Sequence, residues 1–210
     1  MSDLLTPSED YRTSFLEGAT EFLAEKRLDS TYAVYLGYDL KKLERRFDQF
    51  LRDLTALNHP RPIDNGWYVA RVLWLIDGGQ YIGQASVRPE LCTDYLITYG
   101  GHIGYSIRPS QRRRGYGKKI LDLALDVSRE MGLKRVLITC DSDNVASRKI
   151  IEHNDGTYES SMKMTGRAFR AEGRKPTREV SKLRYWIDLK SVGNGKPSRS
   201  RSQPPPALHL

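Results

Sequence analysis

The chain has 210 residues, of which 39% are hydrophobic and 29% charged, and its formal net charge at pH 7 is +8. This composition is typical of a folded globular domain and excludes a fibrous or largely disordered chain. Apolar runs stay well below the roughly 18 residues that cross a membrane, and the N-terminal sequence lacks the apolar core of a signal peptide. We therefore expect a cytoplasmic protein without membrane association.

The positive charge is concentrated in two segments. Residues 108–119 carry +6 and residues 191–210 carry +3, so the rest of the chain carries −1. Proteins that bind nucleic acid along its backbone usually spread Lys and Arg over a whole face. The local clustering makes nucleic-acid binding the less favoured interpretation.

Two amphipathic helices are predicted near the N-terminus. The sequence TPSE at 6–9 has the form of a capping box with proline at the first helical position, in which Thr6 and Glu9 accept hydrogen bonds from free backbone amides. Apolar residues then recur every three or four positions over 40–54, which predicts the second helix.

From residue 67 the hydrophobic period changes to that of strands. The turn DGGQ joins the first two predicted strands, and the strands together span 67–76, 81–91, 101–109, 134–140, 157–164 and 179–189. Helices are predicted at 116–131, ended by Gly132, and at 144–154, capped by Asp143 or Asn144. This order predicts an α/β fold of the α+β type, with a mixed, mostly antiparallel central sheet flanked by helices.

A single domain is predicted over 1–190, with a helical segment at 6–57 and a sheet core at 67–189. Between the last two strands, residues 165–178 are predicted to form a basic loop or mobile flap. Residues 191–210 are rich in Pro, Ser and basic residues. We expect them to be disordered because they cannot bury enough apolar surface to offset the entropy lost on ordering.

The cysteines and most histidines give no sign of a metal site. Cys92 and Cys140 lie in apolar, strand-like sequence without metal-ligand spacing, so we expect both to be buried free thiols. His59, His153 and His209 are not spaced as metal ligands either. We expect no metal.

The sequence RRRGYGKK at 112–119 directly follows a predicted strand and opens a predicted helix. Gly115 and Gly117 would let the backbone turn and approach an anion closely, and the helix N-terminus adds partial positive charge. We therefore expect the amides of residues 113–118 to converge on a phosphate group. The spacing matches neither the nucleotide-triphosphate loop nor the dinucleotide fingerprint.

The same loop resembles the Arg/Gln-x-x-Gly-x-Gly/Ala signature of the GNAT superfamily of N-acetyltransferases. The resemblance continues through the strand, loop, helix, strand and helix of 101–156, and NVASRKIIEHN at 144–154 is similar to the second signature of the family. In all it covers residues 9–189. The sequences GGHIGYSIRPSQR, VLITCD and LRYWI are closest to a branch described only as predicted acetyltransferases.

The resemblance implies transfer of an acetyl group from the co-substrate acetyl-CoA directly to a primary amine in a ternary complex. It implies that the backbone of Tyr105, Ser106 and Ile107 pairs with the pantetheine arm and that one of these amides polarises the thioester carbonyl. The remaining cofactor contacts that it implies are Arg112, Arg113, Arg114, Gly115, Tyr116, Gly117, Lys118 and Asn144.

The catalytic groups are less clearly indicated. His102 takes the position of a glutamate base common in the family, and its ordinary pKa suits that role, although a packed histidine bonded to the backbone explains it equally well. The tyrosine that often protonates the departing thiolate is replaced by Ile151. Ser147 or Tyr158 could donate instead, or the thiolate, whose thiol pKa is about 8.5, leaves unassisted.

The acceptor implied by the resemblance is a small-molecule or peptide amine, bound between the helical segment 6–57 and the basic segment 166–178. Dimerisation through the sheet is compatible with such a fold. Two alternatives stay open. A catalytically weak CoA-binding regulatory domain would explain the missing tyrosine, and a nucleic-acid-binding protein would explain the basic segments.

Overall fold

The computed structural model describes residues 2–58, 69–172 and 179–189. The strands are β1 (Asp3–Leu5), β2 (Arg71–Asp77), β3 (Gln80–Val87), β4 (Ile103–Ile107), β5 (Arg135–Asp141), β6 (Thr157–Lys163) and β7 (Ser181–Asp188). The α-helices are α1 (Arg12–Ala24), α2 (Leu40–Arg45), α3 (Phe47–Ala56), α4 (Tyr116–Glu130), α5 (Val145–His153) and α6 (Gly166–Ala171). Of the helices in these ranges, none has the length and apolar character to span a bilayer. The tail prediction for 191–210, and the predictions that touch 59–68 and 173–178, fall outside the described residues.

The strands form two antiparallel sheets. One has the order β1-β2-β3-β4 and the other the order β5-β7-β6. β4 and β5 are the adjoining edges, and an isolated bridge between Gly101 and Ile138 links them. The predicted fold class is confirmed. The central sheet consists of two parts, and among the described residues this is the one β-bridge that joins them.

Several predicted elements are present with nearly the predicted bounds. β2 and β3 form the hairpin that the DGGQ turn indicates. α4 and α5 lie within the predicted ranges, and Gly132 follows α4 with a φ of 82°. The side chain of Asn144 caps α5 by accepting a hydrogen bond from the amide of Ser147 at 3.0 Å.

The predicted capping box at Thr6 is wrong. Residues 3–5 form β1, which pairs with β2, so the chain is still held against the sheet where the helix was expected to begin. The cap is Ser8 instead, whose hydroxyl accepts a hydrogen bond from an amide of the 3-10 turn Glu9–Tyr11. α1 then follows this turn.

The predicted helix at 40–54 is divided into α2 and α3. The break lies at Arg46, whose φ of −133° and ψ of 43° are not helical. Beyond the break, Phe47 and Phe50 both contact Phe15 of α1, with ring centroids 5.6 and 5.4 Å apart. The break thus allows α3 to bury its aromatic side chains against α1.

The segment expected to be a basic loop or flap is a short helix in its described part. Thr165 caps α6, and Ala168 and Phe169 are buried against Met164 and Val180. These apolar contacts hold the segment in place. In the sequence, the many basic residues of this segment made a loop the more natural prediction than a packed helix.

Cys92 is exposed, which contradicts the prediction that both cysteines are buried. β3 ends at Val87, and Pro89 lacks the amide hydrogen needed to continue a strand, so Cys92 lies beyond the sheet. Cys140 is buried in β5, and burial raises the pKa of its thiol to about 11.

The first sheet separates two hydrophobic cores. On one face, Phe15 of α1 stacks on Trp74 of β2 with ring centroids 4.4 Å apart. On the other face, Ile120 and Leu121 of α4 and Ile151 of α5 pack in the cluster that covers β3 and β5. The edge strand β4 packs on the second of these cores through Ile103, Tyr105 and Ile107.

An acidic face of α1 holds the segment that leads from β4 into α4. Glutamates four residues apart lie on one side of a helix. Two glutamates of α1 and the one at its C-terminal cap reach this segment: Glu17 bonds Arg108, Glu21 bonds Arg108 and Ser110, and the cap residue Glu25 bonds Arg112. Part of the basic cluster seen in the sequence is therefore neutralised within the fold.

Glu21 is the centre of this contact. One of its carboxylate oxygens accepts hydrogen bonds from Arg108 Nε at 2.7 Å and from the Ser110 hydroxyl at 2.9 Å. The other accepts from the Ser110 amide at 2.9 Å. Burial opposes ionisation of Glu21, but the hydrogen bonds from Ser110 and Arg108 outweigh it and lower the pKa of the carboxyl group.

The stacked ring of Phe15 gives the first prediction. Phe15→Ala should lower the free energy of unfolding by about 3–5 kcal/mol, as for other truncations of buried aromatic rings, when measured by urea titration. Leu23→Ala on the same helix is the control, since Leu23 is 45% exposed, and should cost less than about 1 kcal/mol. Equal losses in the two variants would contradict the packing.

Glu21→Gln should lower the free energy of unfolding near pH 7 by about 1–3 kcal/mol, because a charged hydrogen-bond acceptor is lost. The pKa of Glu21 is lowered in the folded state, so its contribution is full above the unfolded pKa and is lost as the pH falls through the folded pKa. The difference between wild type and variant should therefore shrink below about pH 4. Glu25→Gln is the control: it changes a more exposed ion pair and should lower the free energy of unfolding by about 0–1 kcal/mol. If the free-energy difference between wild type and Glu21→Gln did not change with pH, the role of the Glu21 carboxylate would be refuted.

Candidate active site

A cleft of about 1310 Å³ opens where the two sheets part. α1 and the 3-10 turn Leu28–Thr31 border it on one side, β3 and β4 form its floor, and β5, α5 and the end of α6 border it on the other side. Of the residues that the sequence indicated, Tyr105, Ser106, Asn144 and Ser147 line this cleft. The structure therefore brings together residues from β4 and α5.

The backbone of β4 faces β3 on one side and the cleft on the other. The register pairs Ser106 with Gln84, and the flanking bond from the Arg108 amide to Ile82 shows that even-numbered residues of β4 bond to β3. The odd-numbered residues, including Tyr105 and Ile107, therefore direct their backbone groups toward the gap between β4 and β5. The backbone of Ser106 is used within the sheet, and its hydroxyl bonds to the carbonyl of Ser30 at 2.9 Å.

Two hydroxyl groups meet across this gap. The hydroxyl of Tyr105 lies 2.9 Å from the hydroxyl of Ser147. Burial raises the pKa of Tyr105, so the phenol stays protonated. Either hydroxyl can donate the hydrogen bond that joins the two.

Tyr158 and Ile151 lie elsewhere. Tyr158 is 53% exposed on β6, where its ring contacts that of Tyr185, and it does not belong to the cleft lining formed by the described residues. Ile151 is completely buried in the core. The geometry therefore favours Ser147 over Tyr158 as a proton donor.

His102 is held in the backbone network between the sheets. Its Nδ1 accepts a hydrogen bond from the amide of Leu137 at 2.9 Å, and its own amide donates to the carbonyl of Leu137 at 2.8 Å. Burial and the charge of Arg88 lower the pKa of His102. The ring is 9% exposed and, among the described residues, is absent from the cleft lining. These bonds are those of a packed histidine bonded to the backbone, which is one of the two interpretations that the sequence left open.

The glycine loop, residues 112–117, has the backbone form expected of an anion site. Arg113 and Gly115 have φ values of 63° and 87°, and such alternation of left-handed residues directs successive amides to one side. Within the described part of the chain, the amides of residues 113–117 have no backbone acceptor. The amide of Lys118 bonds instead to the carbonyl of Gly115 at 3.1 Å.

Three loop side chains expected at the cofactor are bonded within the protein. Arg112 forms a two-point ion pair with a carboxylate of α1, and Tyr116 and Arg114 also have polar partners: Arg112 with Glu25 at 2.8 Å, Arg114 with Gln111 at 2.7 Å and Tyr116 with Asp77 at 2.7 Å. These side chains shape the loop. Its anion-binding capacity rests on the backbone.

Gly117 allows α4 and α5 to pack closely against each other. A Cβ atom there would lie 2.5 Å from Cδ1 of Ile150, so α4 approaches α5 more closely than a larger residue would allow. Around Gly115, by contrast, no atom of the described residues lies within 4 Å of a Cβ position, and the positive φ is what requires glycine.

The sequence reasoning missed polar residues in the floor and wall of the cleft. Gln84, Ser86 and Arg88 line it, and their spacing of two in a strand is a signal that could have identified one polar face. On the opposite wall, Lys182 of β7 lies 2.7 Å from Asp141 and 2.9 Å from Glu172. This buried ion cluster fixes the end of α6 beside the cleft.

The described residues contain no group of three or more His, Cys, Asp or Glu side chains that could hold a metal ion.

Known proteins resemble the chain in both sequence and fold. Residues 16–157 match the family model of the acetyltransferase (GNAT) domain. Mycothiol acetyltransferase from Beutenbergia cavernae is 28% identical over 95 residues, which is 43% of this chain and 30% of that protein. The chain thus spans less than a third of that relative.

Solved acetyltransferases share the fold at lower identity. The ribosomal L7/L12 alpha-N-protein acetyltransferase RimL, in complex with coenzyme A, has a TM-score of 0.60 at 17% identity, covering 89% of this chain and 93% of that one. The microcin C7 self-immunity acetyltransferase MccE, in complex with acetyl-CoA and AMP, has a TM-score of 0.58 at 14% identity, with coverages of 89% and 92%. Together with the family match, which spans most of the folded chain, these findings show that the chain belongs to the GNAT family of acetyltransferases.

Proposed function

We propose that the chain transfers an acetyl group from acetyl-CoA to a primary amine by direct attack in a ternary complex. The observation that carries this proposal is the gap between β4 and β5, which is lined by backbone groups of β4 and by the Tyr105–Ser147 hydroxyl pair. Such a gap fits an extended chain with amide groups. The glycine loop follows directly after the same strand and fits a diphosphate.

The residues present fit acetyl-CoA at both places. Five successive amides of the glycine loop, residues 113–117, have no backbone acceptor in the described chain, and the N-terminus of α4 adds partial positive charge. The backbone of Tyr105 and the amide of Ile107 would pair with the pantetheine arm, while the carbonyl of Ile107 accepts from Arg112 Nε at 3.2 Å. One of the two amides would polarise the thioester carbonyl. The exposed side chain of Arg113 would attract the anionic co-substrate.

We further propose that Tyr105 and Ser147 pass a proton to the departing sulfur. As the amine nitrogen bonds to the carbonyl carbon and the C–S bond breaks, one proton must move from nitrogen to sulfur. Tyr105 would give its proton to the sulfur and regain one from Ser147, which regains one released by the nitrogen. Neither hydroxyl ends the reaction charged, so the raised pKa of Tyr105 is compatible with this role.

The far side of the cleft supplies the acceptor site. Leu23, Val34 and Tyr35 line it although they are 45%, 53% and 39% exposed. In the floor, the buried carbonyl oxygen of Gln84 has no hydrogen-bond partner among the described residues, and an amine could donate to it. We propose an acceptor whose amine is attached to an apolar group, either a small molecule or a peptide.

The wider organisation remains part of the proposal. We propose a single domain over 1–190. A cytoplasmic location is also proposed, and the free thiols of Cys92 and Cys140 agree with it. A homodimer could form at β6, an edge strand whose residues are mostly exposed.

A regulatory CoA-binding role is the second candidate, favoured by the buried Ile151 where a tyrosine often stands. Release of CoA thiol across a panel of amines of increasing apolar size separates the two candidates: binding without turnover would favour regulation.

Gly115→Val tests the glycine loop, because a β-branched residue cannot hold a φ of 87° without strain. We expect the dissociation constant for CoA, measured by calorimetry, to rise at least about tenfold, or ~1.4 kcal/mol. Gly132→Val is the matched control at the other end of α4, with a φ of 82° and equally open surroundings. Similar CoA affinities in both variants would refute the loop as the binding site.

Tyr105→Phe and Ser147→Ala test the proton path. Each should lower kcat by about tenfold to a hundredfold, within the range of general-acid contributions, with little change in CoA affinity. The double variant should be no slower than the slower single variant, since the two groups act in one path. Tyr158→Phe is the control and should retain wild-type kcat; loss of activity in that variant alone would reverse the assignment.

A further inference from the structure

His102 connects the two sheets through three hydrogen bonds. Its carbonyl accepts from the amide of Arg88, at the end of β3, at 2.8 Å. Its amide and its ring bond to the carbonyl and the amide of Leu137 in β5, at 2.8 and 2.9 Å. A single residue thus belongs to both ladders, immediately before β4 begins at Ile103.

The imidazole takes the place of a backbone acceptor. In an antiparallel pair, two opposed residues normally exchange bonds through their own amides and carbonyls. Here the carbonyl of His102 is directed to β3, and the Leu137 amide donates to Nδ1 of the ring instead. Nδ1 must be unprotonated to accept this bond, so the neutral ring carries its proton on Nε2. The ring cannot accept a proton at Nδ1 without releasing Leu137.

The strands separate at this rung. Before it, Gly101 lies so close to β5 that a Cβ atom would be 2.6 Å from the carbonyl oxygen of Leu137. After it, β4 and β5 belong to different sheets in the described chain, and the odd-numbered residues of β4 face the gap. At this rung a side-chain nitrogen replaces the backbone carbonyl as acceptor for the Leu137 amide, and the paired ladder ends there.

We propose that His102 is a positioning residue that sets where β4 and β5 part, and thereby where a thioester can lie beside Tyr105. It acts through the Leu137 amide and not on the amine. This inference rests on the proposed acetyl transfer, since the gap is the proposed place of the pantetheine arm. The ammonium group of the acceptor then loses its proton to water before attack.

Two substitutions of equal shape separate positioning from base catalysis. His102→Asn keeps an acceptor at the δ1 position but removes the titratable ring, whereas His102→Leu has the same branched shape without an acceptor. Three quantities are measured for each: hydrogen exchange of the Leu137 amide, KM for acetyl-CoA, and kcat with its pH profile. The exchange measurement needs no co-substrate and is independent of the proposed function.

His102→Asn should keep the Leu137 amide protected, with KM, kcat and the pH profile of kcat within about twofold of wild type. His102→Leu should lose that protection because the buried Leu137 amide then has no acceptor. Its KM for acetyl-CoA should rise about tenfold because the place where β4 and β5 part is no longer fixed. A large fall in kcat or a changed pH profile in His102→Asn, with the Leu137 amide still protected, would identify a base and overturn the inference. Unchanged protection and KM in His102→Leu would overturn it as well.

The outcome is distinct from failure of the proposed function. If wild-type protein neither binds acetyl-CoA nor releases thiol, acetyl transfer is refuted. The Leu137 exchange data then still show whether His102 forms the connecting rung.

Discussion

The separation of β4 from β5 is the feature on which the site depends. A continuous sheet would satisfy every backbone group of β4 and leave nothing for a ligand. Here the bonds between His102 and Leu137 end the pairing, and the next residues of β4 keep one side of their backbone directed into a cleft. The Tyr105–Ser147 pair lies in the gap that this separation creates.

The positive charge of the glycine loop has a different meaning in the fold than in the sequence. Arg108 and Arg112 are held by Glu17, Glu21 and Glu25, so the acidic face of α1 sets the position of the segment between β4 and α4. The loop thereby keeps its amides open while the charges of Arg108 and Arg112 are balanced within the fold. This arrangement favours one bound anion and not an extended nucleic-acid backbone.

Features with a local cause could be predicted from the sequence, and features that depend on distant contacts could not. The hairpin, α4, α5 and the glycine loop follow from turn residues, helical periodicity and glycine positions within a few residues. The bond of Arg108 to Glu21 joins residues 87 apart, and that of Tyr105 to Ser147 joins residues 42 apart. From its residue type alone, His102 could be expected either to act as a base or to be a packed histidine bonded to the backbone. Its bond to Leu137 depends on how two strands meet, which no local pattern shows.

The central claim is that backbone amides of β4 and the glycine loop bind the co-substrate. Amide hydrogen exchange, measured residue by residue with and without saturating acetyl-CoA, tests it most directly. We expect Tyr105, Ile107 and residues 113–117 to gain protection on binding, while amides at the far end of α4 stay unchanged. If acetyl-CoA binds but the amides of Tyr105, Ile107 and residues 113–117 exchange as fast as in the free protein, the account is contradicted.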